Sequence, residues 1–174
     1  MKPTAYISLI IASFVICSCN QSGNKALKFY EIANSEMKSG NLINSIVYYN
    51  KAIAVDSTQV DFYMARGNAR LTTVDYEGAT KDYTKVIQLD PNREEAYLLR
   101  AVIKIYKKEF TDDAIADLNK AIQLNPALAK AYYNLGVIKF VRNDLPGACN
   151  DWKKAADMGN EQAITYINMH CKKN

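Results

Sequence analysis

The chain repeats itself every 34 residues, and this period constrains the fold more than any other feature. Four stretches align: Ala26–Gln59, Val60–Arg93, Glu94–Leu128 and residues 129–160. The eighth place of each holds a small residue: Ala33, Gly67, Ala101 and Gly136. The twentieth place holds another: Ser45, Ala79, Ala114 and Ala148. Four residues later comes a ring or a leucine (Tyr49, Tyr83, Leu118, Trp152), and three beyond that Ala52, Val86, Ala121 and Ala155. The third unit carries one extra residue between its halves. A fixed period in this range indicates stacked supersecondary units, each too small to bury its own apolar face.

Each unit reads as two amphipathic helices. Tyr63, Gly67 and Arg70 fall at i, i+4 and i+7, on one helical face, and Ala79, Tyr83 and Val86 do the same in the second half. Small residues at the eighth and twentieth places let two helix backbones approach closely, and the ring fills the space between. Pro91 and Pro126 close the second helices of units two and three, because proline disfavours helical geometry in the residue before it. Gly40 and Asn143 stand where units one and four must turn between helices.

These residues resemble the tetratricopeptide repeat family: the 34-residue spacing, the small residues at fixed places and the closing proline in two of four units. The resemblance covers about Ala26 to Asn160 and departs from the pattern at Ser57 and Asn160, where the proline would stand. It implies an all-α, right-handed α-solenoid of four stacked helix-turn-helix repeats. Residues 161–174 supply a capping helix and tail, with Ala163, Tyr166, Ile167 and His170 at helical spacing.

The first residues carry a different signal. Lys2 is followed by an apolar run, Tyr6–Ile16, too short for an ordinary membrane span and of signal-peptide proportions. It ends in Ile16-Cys17-Ser18-Cys19, which resembles the bacterial lipoprotein signal. That resemblance implies a signal peptide over residues 1–18, lipid on Cys19, and a tether over residues 19–25. Cys17 is the weaker candidate because bulky Ile16 precedes it. An ordinary cleaved secretory signal is the competing reading. Several acyl chains on one cysteine would hold the protein stably to a membrane. Asn20 is not the aspartate that retains enteric lipoproteins at the inner membrane, which favours the outer membrane.

A net charge of +4 suits solubility, not nucleic-acid binding, and the basic residues are scattered. Cys149 and Cys171 would lie near one another if the second helix of unit four and the capping helix are antiparallel, and in an oxidising envelope the expected outcome is a disulfide between them; free thiols are the competing reading. The single histidine, His170, and two cysteines fall short of a metal site. No cofactor is expected. Neither a phosphate loop nor a nucleophile elbow is present. Asp82, Asp117 and Asp151 recur in register, as do Arg66 and Arg100, which points to a repeated structural ion pair (Arg66 with Asp82, Arg100 with Asp117 or Asp82) and not a catalytic dyad. The chain therefore reads as non-enzymatic.

In the resembled family the first helices line a concave groove. The corresponding places here are Leu27, Tyr30, Asn34, Met37 and Lys38 in unit one; Asp61, Met64, Asn68, Leu71 and Thr72 in unit two; Glu95, Leu98, Val102, Ile105 and Tyr106 in unit three; and Lys130, Tyr133, Val137, Phe140 and Val141 in unit four, polar at first and more hydrophobic toward unit four. The clamp of lysines and asparagines that some members use for a C-terminal carboxylate is missing: Tyr30 stands at the lysine place and only Asn34 matches. An apolar groove rimmed by tyrosines suits a peptide or protein segment with hydrophobic anchors. The expected partner is another envelope protein. The alternative is a solute-, glycan- or lipid-binding lipoprotein, and the capping helix or tether could itself fill part of the groove.

Overall fold

The computed structural model describes residues 24–171, and every regular element among them is a helix. The expected signal peptide, Cys19 and the tail beyond Cys171 lie outside the described residues. Asn24 and Lys25, expected in the tether, are already helical.

Two compact units divide at Asp75. The first holds α1 (residues 24–38), α2 (Leu42–Val55) and α3 (Val60–Thr72). The second holds α4 (Tyr76–Leu89), α5 (Glu94–Tyr106), α6 (Asp112–Leu124), α7 (Ala129–Val141), α8 (Leu145–Asp157) and α9 (Glu161–His170). In the second unit each helix packs on the next in chain order, and α5 also touches α7.

One device turns the chain inside every repeat. The fifteenth residue adopts left-handed backbone geometry: Gly40 (φ 79°), Val74 (φ 63°), Lys108 (φ 60°) and Asn143 (φ 63°). The sequence pointed to Gly40 and Asn143 alone, since valine and lysine carry no turn signal. The recurrence of this turn at Lys108 puts the extra residue of the third repeat after it, so Ile105 and Tyr106 keep their register. A second device closes the repeats. Asp56, Asp90 and Asn125 each accept a hydrogen bond on the side chain from the backbone N–H two residues on, at 2.9, 3.0 and 3.1 Å. Asp56 makes this turn without the proline, which is why Ser57 does not break the pattern. Helices α8 and α9 begin under side-chain caps, Asp144 on Gly147 N–H and Asn160 on Ala163 N–H.

The small residues do what close approach requires. A Cβ on Gly136 would strike the Trp152 indole, which is fully buried and donates its Nε1–H to the Tyr133 carbonyl at 3.2 Å. Ala33 and Tyr49 share one cluster, and Ala101 and Leu118 another. Two of the recurring buried aspartates are held by cations from the preceding helix. Arg100 grips Asp117 through Nη2 and Nε at 2.6 and 2.9 Å, with Lys104 at 3.5 Å, and the Asp117 carboxylate pushes the Arg100 pKa up. Lys139 reaches Asp151 at 2.6 Å.

Two substitutions probe the turn and the ion pair. Val74 is exposed, and a β-branched residue is costly in left-handed geometry. Val74→Gly should raise stability by about 1 kcal/mol, read as a higher urea midpoint. Arg100→Leu strands the Asp117 carboxylate and should cost about 2 kcal/mol, below the full buried-pair value because Arg100 is partly solvated and Lys104 remains; Arg100→Leu with Asp117→Leu should recover part of that loss.

Candidate functional site

The expected groove residues fall into three groups. Some are core. Leu98 and Met64 are 5% and 6% exposed, too enclosed to meet a ligand. Others are engaged within the chain. In the first unit Tyr30 lies half-buried with its ring 4.8 Å from Phe62 and 5.8 Å from Tyr49. The Tyr49 hydroxyl donates to Asn34 Oδ1 at 2.7 Å, so the one residue matching the carboxylate clamp is already an internal acceptor. Met37 packs on the Ala33–Tyr49–Ala69 cluster, and Asn68 and Leu71 are half-buried.

In the second unit three of the fourth repeat's groove residues, Tyr133, Val137 and Phe140, are half-buried. Tyr133, Val137 and Phe140 pack in one apolar cluster with Trp152 and with Ala163, Tyr166 and Ile167 of α9. Tyr133 meets Tyr166 edge to face at 5.6 Å, and Phe140 meets the His170 ring at 4.6 Å. Burial, helped by a hydrogen bond with Tyr166, pushes the Tyr133 phenol up to about 12. These three residues help to seat α9, because a short helix with an apolar face buries it on the nearest apolar surface. A disulfide joins Cys149 near the start of α8 to Cys171 at the end of α9, with Cα atoms 5.7 Å apart.

What stays open is the face of α5 and the end of α7. Tyr106 is 61% exposed and Val141 46%. Val102 and Ile105 are half-buried, resting on the core cluster of Leu98, Leu135 and Ile138. Tyr76 flanks Tyr106 with ring centres 6.1 Å apart. The result is a shallow apolar patch with a tyrosine at its rim. The buried Asp117 carboxylate is bound by Arg100. Among the described residues no group of three or more His, Cys, Asp or Glu side chains is placed to hold a metal ion.

Tetratricopeptide repeat models match residues 60–93 and 105–140. These stretches are tetratricopeptide repeats. RNA polymerase II-associated protein 3 of Xenopus tropicalis is 39% identical over 70 residues, which are 40% of this chain and 9% of that protein. Among solved structures, MamA from Desulfovibrio magneticus RS-1 superposes with a TM-score of 0.77 at 22% identity, over 84% of this chain and 83% of that one. The first TPR domain of Spaghetti (RPAP3), solved bound to an HSP90 peptide, gives a TM-score of 0.62 at 26% identity over 67% and 93%. The second TPR domain of human RPAP3, in complex with an HSP70 peptide, gives 0.63 at 26% over 68% and 98%. The fold is thus the all-α solenoid of stacked helix pairs that the sequence implied.

The disulfide yields a direct test. Cys149→Ser with Cys171→Ser should cost about 3 kcal/mol, the loop-closure entropy for a separation of 22 residues. The loss should appear first as faster amide exchange in α9 and a red-shifted Trp152 emission; unchanged exchange in α9 would mean that the helix holds its seat without the bond.

Proposed function

We propose that this protein is a non-enzymatic interaction scaffold, held by lipid on Cys19 to the outer membrane of a bacterial cell envelope, that takes a segment of a partner protein on the open face of α5. The observation carrying the reading is the exposed apolar patch of Tyr106 and Val141 with half-buried Val102 and Ile105. A large ring at the rim of an apolar strip gives a partner segment an anchor of low entropic cost. The peptide complexes of the two RPAP3 domains support use of such repeats for segment binding. The chemistry of the segment differs here. Tyr30 replaces a clamp lysine and Asn34 is tied to Tyr49, so a carboxylate tail finds no fork of donors in the first unit. The segment is expected to be apolar, extended or helical.

Cross-linking in native envelopes tests this. The wild-type chain should recover a specific partner that Tyr106→Ser with Val141→Glu loses, with affinity reduced roughly 30-fold or more for hot-spot anchors. Equal recovery by both chains would remove the α5 face from consideration. Cys19→Ser should abolish incorporation of labelled fatty acid into the chain; label retained in the variant would refute the lipid on Cys19 without touching the binding face.

A further inference from the structure

We propose that the α1–α2 hairpin lies on the surface of an anionic phospholipid bilayer, with the outer ridge of α2 as the contact; this rests on the Cys19 anchor proposed above. The ridge is set by helical spacing. Ile43, Val47, Lys51 and Ala54 fall at i, i+4, i+8 and i+11, on one face of α2. Ile43 is 69% exposed and Val47 43%, and Lys51 and Ala54 are exposed too.

No other repeat places large apolar side chains there. The two places held by Ile43 and Val47 carry Glu77 and Lys81 in the second repeat, joined as an exposed ion pair at 2.6 Å. The third repeat has Asp112 and Ala116, and the fourth Pro146 and Asn150, all exposed. Those are the choices expected of a helix face that stays in water. The first repeat departs from them, and an exposed pair of β-branched aliphatic residues beside each other marks a contact surface.

The surroundings identify the occupant. Helix α2 contains no acidic residue and one cation, Lys51. Its Nζ sits 4.3 Å from the Tyr48 ring centre and 5.9 Å from that of Phe29, whose rings are 6.4 Å apart. Phe29 belongs to α1, so the start of α1 adjoins the end of α2. Exposed Lys25 and Lys28 lie in that same opening stretch of α1. Aliphatic ridge, paired aromatic rings and three lysines are the components of a helix lying in a membrane interface: apolar atoms enter the acyl boundary, ring edges stay at the headgroups, and ammonium groups meet lipid phosphates. Chain length points to the same occupant. Four residues stand between Cys19 and residue 24, so the five chain steps reach at most about 18 Å when fully extended. A lipid on Cys19 therefore brings the basic start of α1 to the bilayer surface.

The test uses the full chain, purified with its lipid and reconstituted in vesicles of phosphatidylethanolamine and phosphatidylglycerol that carry a trace of diazirine-bearing phospholipid. After illumination, labelled peptides are mapped. We expect label on Ile43–Ala54, falling roughly tenfold in Ile43→Glu with Val47→Glu while N-terminal labelling is unchanged. Both positions are exposed, and an intact circular dichroism spectrum verifies the fold of the variant. Label confined to the N-terminal peptide overturns the docked hairpin and leaves the anchor standing. Label on α2 that persists in Cys19→Ser shows docking independent of the anchor. Label on neither refutes both, and cross-links from α2 to α2 without lipid label assign the ridge to a second copy.

Discussion

A missing side chain opposite a large one is the contact on which the rest of this protein depends. Where Gly136 leaves room, the Trp152 indole slides against the α7 backbone and finds the Tyr133 carbonyl for its N–H. Alanines at the eighth place seat Tyr49 and Leu118 in the same way. The close approach brings first-helix cations within reach of the aspartate one residue before the ring. Arg100 and Lys104 thus surround Asp117, and Lys139 meets Asp151. A charge at that depth is tolerable only with a partner at hydrogen-bond distance. Helix spacing and ion pair are therefore one constraint, and widening the first would strand the second.

The same packing rule decides which surfaces remain for partners. A repeat array ends with an apolar face that no following repeat covers. At the C-terminal end α9 covers it, with Tyr166, Ile167 and His170 laid over the aromatic residues of α7 and α8 and a disulfide fixing the helix end. This leaves Tyr133, Val137 and Phe140 half-buried under α9. The candidate surface that stays exposed is smaller than the sequence suggested, and Tyr106 is its most exposed residue.

The first repeat is managed differently. There the outer face of α2 keeps Ile43 and Val47 in the open, flanked by Lys51 and two rings. One terminal repeat hides its apolar surface under a further helix, while the other presents it beside the segment that carries the candidate lipid site.

The sequence by itself determined the helix pairs, their spacing and the places of the packing residues, because each of these is a local choice repeated at a fixed interval: small at the eighth and twentieth, ring or leucine at the twenty-fourth. It also carried the cue for Cys149 and Cys171, since two antiparallel helices of similar length bring those ends together. It missed the turns at Val74 and Lys108, because left-handed geometry there is imposed by the fold on residues that do not favour it. It could not separate Leu98 and Met64, which are core, from Tyr106, which is surface, since all three are large apolar or aromatic residues on the same nominal helix face. Only the tertiary structure decided that. Exposure depends on what the next helix covers: the capping helix was legible in the sequence, but which residues α9 packs on, and the internal acceptor role of Asn34, are long-range arrangements that no single period in the chain encodes.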